Sequence, residues 1–179
     1  MTPTYDSLGG NILGAFRALE ESGRLELMTS AATHGFLPLL ARDESVRFQL
    51  AVGRAEHERL FGRRAAGLWM PECAYRPAGP WQPLPSARNY RHRDGLETFL
   101  MEGGVRFVFV DAHLAKAGRP LGVYGELAMS PHEMVQARQP REPSAPHSPY
   151  RPYWIGEHGR RLAPRALIRD PRSSMQVWS

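Results

Sequence analysis

The chain has 179 residues, enough for one domain with a hydrophobic core, and its 42% hydrophobic and 23% charged residues are ordinary for a globular protein. The formal net charge is +5, but all the basic residues except Lys116 are Arg and they are scattered, so the charge does not predict a nucleic-acid partner. Cys73 is the only cysteine, which excludes an intrachain disulfide; with no signal peptide and no membrane-length apolar run in the sequence, we predict a cytoplasmic protein.

Helix and strand patterns alternate along the first half of the chain. Residues 11–22 have apolar residues at helical spacing, and residues 24–34 predict a short strand. Asp43 is predicted to cap a helix over residues 44–62, which ends at Gly62.

The second half continues this alternation. "AAGLWM" (65–70) predicts a short buried strand, and a Pro-rich loop follows over residues 76–88. "GLETFLMEGG" (95–104) predicts a helix, "VRFVFVDAH" (105–113) is the strongest strand signal, and "RALIRD" (165–170) is a weak one. Helix and strand in turn imply a parallel sheet with flanking helices, the α/β class.

Composition divides the chain into three parts. We expect the α/β core over residues 1–128, a flexible Pro-rich insertion over residues 129–153, and a continuation of the core over residues 154–179.

Each of the first three predicted strands ends in an ionisable residue: His34, Glu72 and Asp111. Ligands of parallel α/β folds sit at the carboxyl ends of the strands. The sequence therefore predicts a site at that edge of the sheet.

Glu72 lies in "GLWMPECAYRP" and has two interpretations: a salt-bridged acid at a strand end, or a catalytic carboxylate. Its neighbours favour the second, because Trp69 offers a flat apolar face suited to a sugar ring and Pro71 fixes the backbone before the acid. Cys73 is interpreted as a small buried thiol. Asp111 and His113 are too few to predict a metal site, and no cofactor motif is present, so neither a metal nor a cofactor is predicted.

These segments resemble glycoside hydrolase family 57. "GLWMPECAYRP" is similar to the family's nucleophile segment, usually W-L-P-E-C-A-Y, and "AATHGFLPLL" looks like the preceding motif, in which a His lines the sugar site. "RFVFVDAH" and "IRDPRSSMQVWS" are similar to later segments, and the likeness is greatest to the α-1,4-glucan branching enzymes.

The resemblance implies part of a (β/α)7 barrel and a retaining mechanism on α-glucan. It makes Glu72 the nucleophile and His34 a residue of the donor-sugar subsite, with Trp69, Tyr75 and Asp111 as neighbours that bind substrate. The implied enzyme is a 1,4-α-glucan branching enzyme of glycogen biosynthesis. The alternatives are an α-amylase or 4-α-glucanotransferase of the same family, or a non-catalytic glucan-binding remnant.

Two family motifs are missing from the 179 residues: an H-x-P motif on the first strand, and the D-x-E-x-F-G-H-W-W type segment that carries the general acid. The resemblance therefore implies a fragment without the first and last parts of the barrel. Because general acid catalysis is commonly worth about 10²–10⁴-fold, we expect weak or no activity from the chain alone, and a complementary polypeptide that supplies the missing strands.

Overall fold

The computed structural model of the protein describes residues 3–82, 91–111, 148–156 and 163–170, together with Ser173 and Gln176. The helices are Pro3–Ser7 (α1), Ile12–Glu21 (α2), Asp43–Phe61 (α3) and Leu96–Glu102 (α4). The strands are Thr29–Ser30 (β1), Gly67–Trp69 (β2), Gly79–Trp81 (β3), Arg91–Arg93 (β4), Phe107–Val110 (β5), Tyr153–Trp154 (β6) and Arg165–Ile168 (β7). None of the helices in this part of the chain is both long and apolar enough to cross a lipid bilayer.

Five strands form the main sheet, in the order β1-β2-β5-β7-β6. β1, β2, β5 and β7 are parallel to one another, and only the edge strand β6 runs antiparallel. The predicted parallel α/β sheet is thus confirmed. Since the four parallel strands point the same way, the residues that follow them meet at one edge of the sheet, called here the carboxyl edge.

One buried cluster joins the sheet to α3 and α4. Leu68 of β2 and Val108 of β5 are both 0% exposed and lie at its centre. Helix α3 adds Val46 and Leu50, and helix α4 adds Phe99 and its neighbours. This burial of apolar surface is the main force that holds the strands in register.

Helix α3 lies close against β1, and a glycine permits the approach. A Cβ atom on Gly53 would stand 2.0 Å from the backbone oxygen of Ser30. The Thr29 hydroxyl also donates a hydrogen bond to the Gly53 carbonyl at 2.8 Å. A larger residue at position 53 would therefore push the helix off the strand.

The limits of α3 correct one prediction and confirm another. Asp43 does not cap the helix: it is the first helical residue, and its carboxylate accepts a hydrogen bond from the Arg93 Nε at 2.7 Å. Arg93 is 1% exposed and needs a partner, so the acid is used for tertiary contact instead. Gly62 ends the helix with φ 74°, as predicted.

The strand predicted over residues 24–34 is only two residues long, because other groups take its backbone hydrogen bonds. The Leu27 N–H donates to the Glu20 Oε1 at 3.1 Å, and the N–H groups of Ala32 and Thr33 donate to the backbone and side-chain oxygens of Gln49. A backbone donor that is already satisfied in this way cannot join a neighbouring strand.

Two pairings were not predicted. β3, which lies in the predicted Pro-rich loop, pairs antiparallel with β4 beyond the end of that loop, and Trp81 lies against the guanidinium groups of Arg91 and Arg93 at 5.5 and 4.5 Å. At the other end of the chain, β6 pairs with β7, which confirms the strand predicted from "RALIRD" and adds an antiparallel neighbour. The predicted Pro-rich insertion over residues 129–153 lies mostly outside the described residues, so the division of the chain into three parts stays a prediction.

Candidate active site

The carboxyl edge gathers one polar side chain from each parallel strand. His34 follows β1 after a short turn, Glu72 follows β2, Asp111 follows β5, and Arg169 follows β7. The structure brings His34 and Glu72 together, with 3.6 Å between the imidazole Nε2 and the carboxylate Oε1. Asp111 lies beside Arg169 instead, with its Oδ1 3.9 Å from the Nη1.

The Glu72 carboxylate is held out from the sheet by buried neighbours. The Glu72 side chain is 71% exposed, whereas Met70 is 0% and Cys73 1% exposed. Pro71 begins a 3-10 turn over Pro71–Cys73, and the Cys73 N–H donates to the Met70 carbonyl at 2.8 Å to close it. The acid is therefore accessible to a ligand while its backbone is anchored on both sides.

The backbone is strained at this point of the fold. His34, Glu72 and Cys73 have φ values of 54°, 57° and 50°, and they are the non-glycine residues with positive φ in the described part of the chain. Each such residue costs on the order of 1–3 kcal/mol and persists only where packing fixes it. Such residues cluster at functional sites, so the strain is a second and independent pointer to His34 and Glu72.

Cys73 is a structural thiol and not a second nucleophile. Burial raises the pKa of the Cys73 thiol, and the hydrogen bond and positive charge of Arg169 offset this only in part. The thiolate, which is the reactive form, is thus disfavoured at neutral pH. Arg169 in turn links Cys73 to Asp111 and so supports the turn that carries Glu72.

Arg169 is the site residue that the sequence reasoning missed. "RALIRD" was predicted as a strand, and the rule that singled out His34, Glu72 and Asp111, a polar residue directly after a strand, applies equally to Arg169. The polar residue directly after "RALI" is thus the feature of the sequence that points to Arg169.

Trp69 and Tyr75 flank this edge in different ways. The Trp69 ring contacts that of Phe109, with 5.8 Å between centroids, on the sheet face opposite Leu68. Tyr75 is mostly buried, and its hydroxyl donates to the Glu97 Oε2 at 2.6 Å. Burial and this hydrogen bond raise the pKa of Tyr75 well above its usual range. Substrate contact by Trp69, Tyr75 and Asp111 stays a prediction.

Among the described residues, no group of three or more His, Cys, Asp or Glu side chains could hold a metal ion. His113, considered above with Asp111, lies outside the described residues. The carboxyl edge offers an accessible carboxylate beside an imidazole, and these groups can carry out nucleophilic attack and hydrogen bonding to a polar ligand.

The fold is a parallel α/β sheet, and its candidate site is an exposed glutamate at the carboxyl edge, where ligands of such folds bind. The chain belongs to glycosyl hydrolase family 57, whose sequence model matches residues 4–170. It is 42% identical over 175 residues to a 1,4-alpha-glucan branching enzyme of Thermococcus kodakarensis, and the match covers 98% of this chain and 23% of that protein.

Solved structures agree with the family. The GH57-type branching enzyme of Pyrococcus horikoshii is 36% identical, with a TM-score of 0.74 over 98% of this chain and 27% of that one. The alpha-amylase AmyC of Thermotoga maritima is 29% identical, with a TM-score of 0.63 over 98% of this chain and 26% of that one. The chain thus spans about a quarter of the length of these relatives, and the predicted family and α/β barrel class are confirmed.

Proposed function

We propose that the chain carries the nucleophile of a retaining α-1,4-glucan branching enzyme, and that Glu72 is that nucleophile. The observation that carries the proposal is the Glu72 carboxylate itself: exposed, anchored between buried residues, and 3.6 Å from His34. The identities of 42% and 36% to branching enzymes favour branching over other reactions of the family. The substrate class we propose is therefore α-glucan, with a role in glycogen biosynthesis in the cytoplasm.

The proposed reaction has two displacements. A Glu72 oxygen attacks the anomeric carbon of the donor glucan, the bond to the leaving O4 breaks, and that oxygen takes a proton from a general acid. The 6-hydroxyl of a second glucan chain then gives its proton to the same group, which now acts as a general base, and displaces Glu72 from the anomeric carbon to close an α-1,6 branch. His34 contacts the donor sugar beside the attacking oxygen and holds it in place.

The general acid is not assigned to any of the 179 residues. A retaining site needs a second carboxyl group about 5–5.5 Å from the nucleophile. Asp111 lies at the same edge but is engaged by Arg169, and no D-x-E-x-F-G-H-W-W type segment occurs in the sequence. We therefore propose that these 179 residues alone have little or no turnover, and that a complementary polypeptide completes the barrel beside β1, which among the described residues pairs only with β2.

A substrate whose leaving group departs without a proton tests the nucleophile separately from the general acid. A 5-fluoro α-glucosyl fluoride releases fluoride unaided and leaves a long-lived ester on the attacking carboxylate. Intact-mass spectrometry should show one added sugar, and peptide mapping should place it on Glu72. The variant Glu72→Gln should stay unlabelled, and Glu102→Gln, which changes an exposed acid on α4 paired with Arg47, should label like the parent.

A label on another carboxylate, or none from a folded protein, would refute the assignment of Glu72. An unlabelled protein that still binds maltotriose would instead be a glucan-binding remnant.

Hydrolysis is the second candidate, since the chain is also similar to an alpha-amylase. Both reactions share the covalent ester and differ in the acceptor that resolves it. Incubating the labelled protein with maltoheptaose distinguishes them: recovery by transfer yields an α-1,6 linkage detectable by NMR, whereas recovery by water yields free 5-fluoroglucose.

A further inference from the structure

A cavity lies on the side of the sheet opposite the carboxyl edge that carries Glu72. It has a volume of about 400 Å³ and is lined by Glu20, Gly23, Arg24, Leu25, Glu26 and Arg63. These residues come from the segments that lead into β1 and β2, so the cavity is at the amino ends of the parallel strands. Its volume is within the range of small-molecule sites.

Glu20, which lines the cavity, has a buried carboxylate oxygen without a hydrogen-bond partner among the described residues. The Glu20 side chain is 5% exposed, and its Oε1 accepts a hydrogen bond from the Leu27 N–H at 3.1 Å. Its Oε2 is unpaired, and the nearest cation, the Arg63 Nε, stands 3.8 Å away, beyond hydrogen-bond distance. A buried acceptor left unpaired is unfavourable, and a bound group that donates to it would remove the penalty.

A second unpaired group lies within electrostatic reach of Glu20. His57 is 5% exposed and its ring is tilted at 46° to that of Phe61, with 4.9 Å between centroids; its Nε2 has no hydrogen-bond partner among the described residues. Burial lowers the pKa of His57, with Glu20 and Arg63 acting in opposite directions. The buried wall beside Glu20 is therefore polar, and two of its hydrogen-bonding atoms have no partner among the described residues.

The charges that line the cavity define the ligand. Two carboxylates, Glu20 and Glu26, balance two guanidinium groups, Arg24 and Arg63, so neither an anion nor a cation is favoured. A hydroxyl group suits the gap between the Glu20 Oε2 and the Arg63 Nε, since it can donate to the first and accept from the second. Leu25, 37% exposed, offers an apolar surface to the C–H groups of the same ligand.

We propose that this cavity is a second saccharide-binding site, in which a sugar hydroxyl bridges Glu20 and Arg63. The site is independent of any covalent chemistry at Glu72, and rests on the proposed function only for the choice of α-glucan as its ligand. A glucan held there would keep the protein attached to its polymer while the carboxyl edge acts on another part of the chain.

Amide NMR on the ¹⁵N-labelled protein, titrated with maltotriose, tests this directly. The amides of Gly23 and Leu25 should shift together and saturate, whereas those of Gly35 and Cys73 report on the Glu72 edge. Shifts at the Glu72 edge alone would overturn the second site and leave the proposed function standing. Shifts at Gly23 and Leu25 alone would support the second site and count against glucan binding at Glu72.

Variants and other probes make the test specific. Arg63→Met removes one charged hydrogen bond and should weaken maltotriose binding about tenfold or more. Arg63 is largely exposed, so this variant should fold even where Glu20→Gln does not. Arg42→Met changes a comparably exposed arginine at the start of α3 and should bind like the parent. Saturation by inorganic phosphate or putrescine in preference to maltotriose, or equal affinity in the two Arg variants, would refute a saccharide site.

Discussion

Replacing Glu72 with glycine should make the protein more stable while removing its proposed nucleophile. Glu72 has φ 57° and ψ 22°, a left-handed conformation that costs an L-residue roughly 1–2 kcal/mol and costs glycine almost nothing. Glycine loses about 0.5–1 kcal/mol more backbone entropy on folding, so part of the relief is offset. The net expectation for Glu72→Gly is a gain of about 1 kcal/mol, or roughly 2–4 °C in Tm for a chain of this size.

The matched control is Glu72→Gln, which loses the same carboxylate contact with His34 but keeps the strained backbone. The difference in unfolding free energy between the two variants is therefore the strain energy less the entropy cost of glycine. Thermal and urea unfolding followed by circular dichroism measure it. Equal stabilities for Gly and Gln, or a less stable Gly variant, would show that the strain at position 72 does not exceed the entropy cost of glycine, and would refute the expected gain.

Two further predictions concern packing and protonation. Gly53→Ala should destabilise the fold by about 2 kcal/mol in urea unfolding, because its Cβ would meet the Ser30 carbonyl oxygen at 2.0 Å. Gly79→Ala is the control and should cost far less, because no described atom lies within 4 Å of the added Cβ. A stabilised Gly53→Ala variant would contradict the close approach of α3 to β1. The pKa of His57 is lowered from 6.5 by burial, so the unfolded chain binds more protons than the folded one as the pH falls below about 6.5. Stability should therefore decrease from pH 7.5 to pH 5, and His57→Leu should flatten that profile of Tm against pH; an unchanged profile would refute the role of this imidazole.

The proposed nucleophile lies in a strained stretch of the backbone. Pro71, Met70 and Cys73 are buried and hold the turn, and this packing compensates for the positive φ values at positions 72 and 73. Strain of this kind points a side chain outward at a fixed angle, which a relaxed loop cannot do. The expected gain in stability on removing the acid is the thermodynamic mark of such a site.

Features that depend on residues close together in the sequence were predictable. The apolar run before Pro71, the polar residue after each strand, and Gly62 at the end of α3 are local patterns, and they placed both the sheet and Glu72 correctly. The family followed from the stretch around Glu72 for the same reason, since the residues of that family motif lie together in the chain.

The tertiary structure alone decided which of these residues meet. Asp43 became the partner of Arg93, 50 residues away, and Glu20 took the backbone donor that would have lengthened β1. The 3.6 Å contact between His34 and Glu72 likewise depends on the parallel register of β1 and β2, in which Thr29 pairs with Leu68, 39 positions further along the chain. Local propensity indicates which segments form helices and strands. The lengths of some elements and the pairing of distant groups depend on how the strands align and on what the buried charges require, and no single stretch of sequence contains that information.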